Sequence, residues 1–578
     1  MRKDIAELLE AMHPKFMRFP GGCLVHDGSL DENDRVSMYR WKNTIGPLES
    51  RPARRNNWGY HQTLGLGYYE YFQFCEDIGA KPLPVLPGGW DPHHQRAVPL
   101  EELTSWVDDA LDLIEFANGG VDTKWGAVRA ELGHPEPFGL EYLAIGNEEV
   151  GQGFFERFER FYSAIRARAP EIKIIGTSGP FAAGGEYTRG WKYARELGVD
   201  LVDEHYYQAP EWFQANIHRY DNFPEDGPKV FLGEYASQGN MWYNAVTEAA
   251  YMIGLEKAPA VGLACYAPML CNVNYVNWKP DMIFFDNHRA YGTPNYYVQK
   301  LFMLHQGDAL LPLEGLSVQP STISQPLAGP VIMRAGSSEF AVSNLRLTEA
   351  NKTKYLPDFV LAMGQEAAIG HTDGGDFTLE WDAVELRHEP SKGEYGNCGL
   401  RLQFGNNISD EAMEWSLGGW QNSDSIINRF YGGKGTCRSQ SEFSFLVGQR
   451  RHFLLKGSGR KILAFIDGES CHDVEDRLPQ LEPLYASACL NRSSRTVVIK
   501  VVNLCGDAQI AAIDLPEWVE RSMKGRKTTM AYAPEAENDF DRPENVVPVD
   551  EPFFMNGTEL RHTFPPCSLT IFDIVIEK

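Results

Sequence analysis

Short apolar segments alternate with amphipathic segments through the first half of this chain. Seven segments are predicted to be buried strands, because each is short, rich in apolar residues and followed by glycine, proline or polar residues. Amphipathic helices are predicted between them, for example at 68–78, 103–117 and 154–169. The predicted strands lie at 16–19, 82–86, 140–145, 172–176, 201–205, 229–233 and 261–266. This alternation predicts a parallel sheet, in an α/β barrel or a doubly wound fold.

Two of the predicted strands end in a glutamate. The stretch 140–150 reads L-E-Y-L-A-I-G-N-E-E-V, so that Glu148 follows the strand after a glycine turn. The strand at 229–233 is followed directly by Glu234. Barrel enzymes carry their chemistry at the carboxyl ends of the strands, and two glutamates at two strand ends suggest a paired acid and nucleophile. The alternative is that both are structural acids in the first turn after a strand.

Charge and cysteine content exclude several classes of function. The 578 residues carry a formal charge of -25, which argues against nucleic acid as a partner because that needs a basic face. No apolar run reaches membrane-spanning length, so no membrane partner is predicted. The ten cysteines show no zinc-type spacing, and the pair His93 and His94 is interpreted as loop histidines without further ligands. No metal and no cofactor is therefore predicted.

Short alternating strands replace the strand-helix pattern after residue 302. The segments 331–335 and 340–344 predict the start of a β-sandwich, and 496–503 and 568–576 predict its completion. Between them, 350–480 predicts an insertion with its own core, where Trp415 and Trp420 either contact carbohydrate or pack the domain. The predicted domains are a catalytic barrel at 1–303, a β-sandwich formed by the two segments 304–349 and 481–578, and an inserted jelly roll at 350–480.

Ordered motifs across nearly 300 residues carry a family resemblance. They are R-F-P-G-G-C at 18–23, R-W-K-N-T-I-G-P at 40–47, G-L-G-Y-Y-E-Y at 65–71, I-G-N-E at 145–148 and G-E-Y-A at 233–236. They closely resemble the α-L-arabinofuranosidases of glycoside hydrolase family 51. The resemblance implies a (β/α)8-type barrel packed on a β-sandwich, and the insertion resembles the laminin-G or concanavalin-like jelly rolls of some members. It also implies exo-acting hydrolysis of terminal arabinofuranosyl groups with retention of configuration.

The resemblance assigns the two strand-end glutamates. Glu148 matches the family's general acid/base, and Glu234 matches its nucleophile. Retention implies carboxyl groups roughly 5 Å apart. We expect repulsion from ionised Glu234 to raise the pKa of Glu148 so that it carries the proton.

Three further matches lie at strand ends. Asn147 resembles the residue that hydrogen-bonds the 2-hydroxyl of the sugar, with turn formation as its alternative role. His205 and Tyr207 match a family His-x-Tyr pair whose tyrosine contacts the nucleophile. The alternative for Tyr207 is a core tyrosine with a satisfied hydroxyl group.

Three more residues are predicted to complete the sugar pocket. Cys23 occupies a family position near the sugar, although a small buried hydrophobe is the alternative. Trp58 matches a tryptophan that walls the site, and Trp278 is a candidate for a second wall. Packing tryptophans are the alternative for both.

The start of the chain departs from the family, since no counterpart of its first barrel strand or its N-terminal sandwich segment is found. Counted in an eightfold barrel, Glu148 then follows the fourth strand and Glu234 the seventh. The acidic first ten residues predict no signal peptide, and a secreted or periplasmic location stays open if residues precede Met1.

The predicted function is a retaining, exo-acting α-L-arabinofuranosidase for plant polymers such as arabinoxylan and arabinan. Two alternatives stay open: another retaining glycosidase, such as an endoglucanase, and a defective paralogue that only binds glycans. The predicted partner is an arabinose-containing oligosaccharide or polysaccharide, and a homo-oligomer is left open.

Overall fold

The computed structural model describes residues 1–31, 38–313, 328–350, 352–389, 399–407, 411–431, 434–476, 481–515 and 523–576. They form two compact units. The first unit comprises 1–207, 216–319 and 482–578, and the second comprises 208–215 and 320–481.

Seven parallel strands form a curled sheet in the first unit. They are β1 (Phe16–Phe19), β2 (Lys81–Leu86), β3 (Tyr142–Ile145), β4 (Lys173–Thr177), β5 (Leu201–Gln208), β6 (Lys229–Ser237) and β7 (Val261–Tyr266). Their order in the sheet is their order in the chain, as in a (β/α) barrel. All seven predicted strands are confirmed. Within the described residues, β1 and β7 form the two edges of this sheet.

Helices follow the strands on the outside of the sheet, as the amphipathic periodicity predicts. The helices of the first unit are Lys3–Glu10, Tyr68–Asp77, Thr104–Asn118, Lys124–Glu131, Gln152–Arg168, Gly185–Leu197, Trp242–Lys257 and Pro294–Leu304. Short 3-10 turns lie at Gly22–His26, Trp41–Thr44 and Leu48–Ser50. Among the described helices, none combines the length and the apolar character needed to span a membrane.

Two helices that the sequence analysis did not predict begin with a threonine cap. The Thr123 Oγ1 accepts a hydrogen bond from the Gly126 N–H at 3.2 Å, and the Thr293 Oγ1 accepts one from the Tyr296 N–H at 3.3 Å. Such caps satisfy amide groups that have no partner inside the helix. The cap at Thr293 is followed by Pro294, whose fixed φ suits the first helical position.

A second, antiparallel sheet in the first unit joins the end of the barrel region to the C-terminal region. Its strands, in sheet order, are Ala309–Leu311, Tyr485–Asn491, Thr496–Asn503, Ser568–Val575, Met523–Ala531 and Val549–Met555. A separate pair, Gln509–Asp514 and Glu559–Phe564, packs into the same apolar core. Barrel helix Trp242–Lys257 lies against this sandwich, since the Trp242 indole N–H donates to the Cys567 carbonyl at 2.6 Å.

Shorter strands complete the first unit around the strand ends of the barrel. They are Arg54–Arg55, His61–Gln62, Trp90–Asp91, Arg96–Ala97, Leu270–Asn272, Ile283–Phe285 and Ala290–Gly292. The first four pair as two short antiparallel ribbons, and the last three form a small sheet of their own.

The second unit is a β-sandwich of two sheets with one apolar core. One sheet has the order Glu366–Asp373, Ala328–Ala335, Leu400–Asn407, Glu411–Gly418, Asp424–Tyr431 and Lys434–Glu442. The other has the order Lys352–Tyr355, Ser338–Glu349, Phe377–His388, Arg450–Ser458, Lys461–Ile466 and Glu469–Glu475, with Phe359–Leu361 also pairing to Ser338–Glu349. Short helices lie at Pro210–Ala215 and Gly419–Asn422. The predicted fold class, a barrel followed by β-sandwich domains, is confirmed.

The strands at 328–349 do not belong to the terminal sandwich, where the sequence analysis placed them. Ala328–Ala335 pairs with Leu400–Asn407, and Ser338–Glu349 pairs with Phe377–His388, so both belong to the second unit. Among the described residues of the segment 304–349, only Ala309–Leu311 pairs with the C-terminal strands. The error arose because alternating burial identifies a half-buried strand but not the sheet that it joins.

Trp415 lies in the core of the second unit and has no exposed surface. Its indole N–H donates to the Ser425 Oγ at 2.9 Å, which satisfies its one polar group. The hypothesis that Trp415 contacts carbohydrate is therefore wrong, and its packing alternative is correct. The side chain of Trp420 lies outside the described residues.

Glu248 is a buried acid on the barrel helix Trp242–Lys257, behind the strand that carries Glu234. Its Oε1 accepts the Ser237 N–H at 2.8 Å, and its side chain has no exposed surface. Burial raises the pKa of Glu248 to about 8. The acid is therefore neutral in the folded protein at pH 7 but ionised in the unfolded chain.

We predict that Glu248 makes the protein less stable as the pH rises. Because the folded pKa lies above the unfolded value, its stabilising contribution is complete below about pH 4.5 and is lost as the pH rises to about 8. The slope is at most about 1.4 kcal/mol per pH unit. Calorimetry of Glu248→Gln between pH 5 and pH 8.5 should show a weaker decline in Tm than the parent, whereas exposed Glu159→Gln should follow the parent. Equal slopes in all three proteins would contradict the assignment.

Candidate active site

The turn after β3 places Asn147 and Glu148 at the mouth of the barrel. Gly146 has φ +85°, and a Cβ atom there would lie 2.4 Å from the Glu149 carboxylate, so only glycine fits. Glu148 itself has φ +58°, a region that residues other than glycine rarely adopt. Such strain is concentrated at functional sites, which makes Glu148 a candidate on backbone geometry alone.

Both carboxylate oxygens of Glu234 accept hydrogen bonds. Arg18 Nη1 donates to Oε1 at 2.9 Å, and the Tyr207 hydroxyl donates to Oε2 at 2.6 Å. Burial, followed by the charge of Glu234, raises the pKa of Tyr207 well above its usual value, so Tyr207 remains a donor. The carboxylate is thereby fixed in position at the carboxyl end of β6.

His205 lies between the two glutamates. Its Nδ1 is 2.7 Å from Glu148 Oε1 and 3.6 Å from Glu234 Oε2, and its Nε2 is 3.2 Å from Asp203 Oδ2. Burial alone would lower the pKa of His205, but the carboxylates of Glu234 and Asp203 outweigh it and raise the value to about 10. His205 is therefore an imidazolium that donates a proton toward Glu148.

The pKa of Glu148 differs from the expectation. Burial raises it, but the hydrogen bond and the charge of His205 outweigh burial and lower the pKa to about 2. The prediction of a raised pKa considered only repulsion from Glu234 and left out the cation between them. The proton of this pair resides on His205, one hydrogen bond away from Glu148.

One carboxylate oxygen of Glu148, one of Glu234 and a ring nitrogen of His205 all lie within 4.8 Å of one another. Retaining glycosidases hold their two carboxyl groups about 5–5.5 Å apart, whereas inverting enzymes leave about 6.5–9.5 Å for a water molecule. An oxygen separation below 4.8 Å is shorter than the inverting range and favours the retaining class.

Asn147 and Cys23 border the two carboxylates. The Asn147 side chain is fully buried, and its Oδ1 accepts a hydrogen bond from Arg18 Nη2 at 2.7 Å. Its Nδ2 lies 3.8 Å from Cys23 Sγ. The Cys23 thiol in turn donates to Glu148 Oε2 at 3.4 Å. Cys23 therefore contacts Glu148 directly, whereas Asn147 contacts Arg18 and Cys23, which bind Glu234 and Glu148 in turn.

The two predicted tryptophans lie at the rim. The Trp278 ring is 5.3 Å from the Tyr207 ring at 76°, and 38% of Trp278 is exposed. Trp58 packs over Gly22, where a Cβ atom would lie 2.9 Å from the indole. Asn277 Nδ2 donates to the Trp58 carbonyl, which connects the two rim segments.

Two histidines approach Cys23, and the sequence analysis considered only one of them, His93. The rings of His26 and His93 meet at 89° with centroids 4.8 Å apart. Ligand atoms of Cys23, His26 and His93 lie within 4.8 Å of one another, whereas His94 Nδ1 pairs with Asp91 Oδ2 at 2.8 Å. The expectation that His93 has no further ligand residues nearby is wrong, because Cys23 and His26 precede it by 70 and 67 positions in the sequence.

Comparison with known families and proteins identifies the fold. Two family models match, the α-L-arabinofuranosidase 1 domain over residues 8–225 and the α-L-arabinofuranosidase C-terminal domain over residues 220–568. An extracellular exo-α-L-arabinofuranosidase of Streptomyces chartreusis is 39% identical over 604 residues, which cover 99% of this chain and 72% of that protein. The chain belongs to the α-L-arabinofuranosidases of glycoside hydrolase family 51.

Other members of the α-L-arabinofuranosidase family match over different lengths. α-L-Arabinofuranosidase 1 of Arabidopsis thaliana is 38% identical over 318 residues, covering 54% of this chain and 44% of that protein. An arabinose-bound family 51 structure has a TM-score of 0.64 at 23% identity, covering all of this chain and 67% of its own. The arabinose complex from Thermotoga maritima has a TM-score of 0.58 at 17% identity, covering 99% and 90%. These structures support the fold of the α-L-arabinofuranosidases.

Two residues of this candidate site escaped the sequence analysis. Arg18 Nη2 lies 3.2 Å from Asp203 Oδ2, and both side chains are almost fully buried. Asp203 Oδ1 accepts the Gly233 N–H at 3.0 Å, where a Cβ atom would lie only 2.1 Å away. The signal was present, because an arginine inside the four-residue strand F-M-R-F must find a buried partner.

We predict that Arg18→Met strongly destabilises the barrel, since it leaves Glu234 and Asp203 buried without their cation. Removing one partner of a buried ion pair costs about 3–5 kcal/mol. The control is Arg189→Met, which removes the half-exposed pair with Glu186 and should cost under about 1 kcal/mol. Thermal or urea unfolding of both variants measures the difference, and equal losses would contradict the central position of Arg18.

Proposed function

We propose that this chain hydrolyses terminal α-L-arabinofuranosyl groups with retention of configuration. The observation that carries the proposal is the pair of carboxylates, Glu148 and Glu234, with oxygens within 4.8 Å at the mouth of one barrel. Membership of the α-L-arabinofuranosidases selects the sugar, and the name of the Streptomyces relative supports exo action. Arabinose side chains of plant polymers such as arabinoxylan and arabinan are the proposed substrates.

Glu234 is the proposed nucleophile. Its carboxylate oxygen attacks the anomeric carbon, forming an ester to the sugar as the glycosidic C–O bond breaks. Arg18 and Tyr207 hold Glu234 by both oxygens, so little reorganisation is needed before attack. Glu148 delivers a proton to the departing oxygen, and the leaving group departs as an alcohol.

His205 supplies that proton to Glu148 through the hydrogen bond between them. As Glu234 forms its bond to the sugar it loses its negative charge, which is the largest influence that raises the pKa of His205. The imidazolium then gives up its proton more readily along the 2.7 Å contact to Glu148. In the second step Glu148 takes a proton from the water that attacks the anomeric carbon, and Glu234 leaves as a carboxylate. The proton then passes from Glu148 back to His205, which restores the starting state.

The remaining pocket residues position the sugar in this proposal. Asn147 holds its amide between Arg18 and Cys23 and is the proposed partner of the 2-hydroxyl group, a contact that strengthens in the transition state. Cys23 is proposed to line the sugar pocket next to Glu148. Trp58 and Trp278 lie at the rim and are proposed to pack against the sugar and the group that leaves.

We predict different kinetic consequences for the two glutamates on 4-nitrophenyl α-L-arabinofuranoside. Glu234→Ala should lower kcat by at least about 10³-fold, because the covalent step is lost. Glu148→Ala should slow the second step most, since nitrophenolate leaves without protonation. Azide should then restore turnover of Glu148→Ala and give the arabinofuranosyl azide with retained configuration, which proton NMR identifies.

The matched control is Glu141→Gln, at the opposite end of the strand that precedes Glu148. Glu141 is half-exposed and pairs with Lys81, so its substitution should leave kcat unchanged. If Glu234→Ala instead gave the arabinofuranosyl azide with retained configuration, the roles of the two glutamates would be reversed. If the parent hydrolyses an aryl β-glucoside or a β-glucan but not the arabinofuranoside, the proposed substrate is wrong. If the parent hydrolyses neither but binds arabinan, a glycan-binding function replaces the enzyme.

A further inference from the structure

Three side chains of the types that commonly bind transition metals lie close together beside Glu148. Cys23 and His26 belong to the 3-10 turn Gly22–His26, where residues three apart lie on the same face. His93 comes from the loop between the short strands Trp90–Asp91 and Arg96–Ala97. One ligand atom from each of the three residues lies within 4.8 Å of the other two.

His26 provides an independent observation that points to a ligand. Its side chain is 1% exposed, and its Nε2 has no hydrogen-bond partner among the described residues. Its other nitrogen, Nδ1, faces Asp91 Oδ1 at 4.0 Å, and Asp91 also holds His94 and Arg96. A buried ring nitrogen without a partner is costly, and a bond to a metal ion would satisfy it.

The donor set selects the class of ion. One thiolate and two imidazoles suit Zn²⁺ and similar transition metals, whereas Mg²⁺ and Ca²⁺ prefer oxygen ligands. Bond lengths of about 2.1 Å to nitrogen and 2.3 Å to sulfur place tetrahedral ligands roughly 3.5 Å apart. The cluster therefore needs at most a small side-chain adjustment. Binding converts the Cys23 thiol to a thiolate and releases its proton to solvent.

We propose that Cys23, His26 and His93 form a binding site for a zinc-type ion whose occupancy inhibits hydrolysis. Three protein ligands leave the fourth position of a tetrahedral ion open. Glu148 Oε2 lies 3.4 Å from Cys23 Sγ. The ion would therefore lie next to the acid/base carboxylate and attract its negative charge. The inhibition, but not the binding, rests on the proposed function.

A test of this site must distinguish metal binding at Cys23, His26 and His93 from binding at a second cluster. Glu148, His205 and Glu234 also offer ligand atoms within 4.8 Å of one another, but they contain no sulfur. A sulfur ligand gives Co²⁺ an intense thiolate-to-metal charge-transfer band in the near ultraviolet. Co²⁺ is therefore a probe that reports binding at Cys23 without any reference to activity.

The binding test is a titration of the full, chelator-treated chain with Co²⁺, followed by displacement with Zn²⁺. The parent should bind one Co²⁺ with the charge-transfer band, and Cys23→Ser should lose the band. His93→Gln should weaken binding by at least about tenfold, as loss of even an outer partner of a metal does. His94→Gln is the matched control, because His94 pairs with Asp91 rather than with the cluster. This variant should bind Co²⁺ like the parent.

Three binding results would overturn the site. They are absence of the thiolate band in the parent, equal binding by His93→Gln and His94→Gln, and binding that is lost in Glu234→Gln but kept in His93→Gln. The last result would place the ion on the catalytic cluster. Thermal unfolding of each variant without metal shows whether it is folded, and His93→Lys provides a second variant if His93→Gln is not.

The activity test uses the same proteins. Zn²⁺ should inhibit hydrolysis of the aryl arabinofuranoside by the parent and by His94→Gln, and EDTA should restore it. His93→Gln should hydrolyse the substrate with its inhibition shifted to at least about tenfold higher Zn²⁺. Inhibition that is the same in both histidine variants would overturn the regulatory role. If the parent has no activity at all, the proposed function fails while the Co²⁺ titration still decides the site.

Discussion

The buried guanidinium of Arg18 organises the mouth of the barrel. It extends from the first strand of the sheet and contacts groups on three others: Glu234, Asp203 and Asn147 after β3. Burial alone would lower the pKa of Arg18, but the charges of Asp203 and Glu234 outweigh it, so the cation is retained. Because a cation this deep is stable only among its anions, the position of each carboxylate depends on the others.

The electrostatic balance of the site follows from this arrangement. Two cations, Arg18 and His205, face three carboxylates within one largely buried pocket. A loss of charge at Glu234 directly weakens the electrostatic stabilisation of the His205 imidazolium. The two groups are only 3.6 Å apart, in a buried site where charges interact strongly. In the proposed mechanism, nucleophilic attack and proton delivery are coupled through the same few contacts. Glu148 is the last residue in this series of contacts, and its strained backbone conformation sets the position of its carboxylate.

The sequence predicted the features of the fold that depend on local patterns. Apolar strands, amphipathic helices and a glycine before each strand-end glutamate have periodic signals, so all seven barrel strands were found. What escaped prediction depends on contacts between distant residues. Arg18 was read as one letter of a motif rather than as a buried charge, and the proton on His205 could not be inferred without knowing what surrounds it. The strands at 328–349 were assigned to the wrong sandwich for the same reason, because pairing is not a local property.

The most direct test of the account is to trap the covalent intermediate. A 2-deoxy-2-fluoro aryl α-L-arabinofuranoside with a good leaving group slows both steps, and the second step more. Peptide mass spectrometry should then find one fluorinated arabinosyl group esterified to Glu234, with Glu148 unmodified. An adduct on Glu148, or steady turnover to the inverted sugar with no adduct, would contradict the roles that the geometry supports.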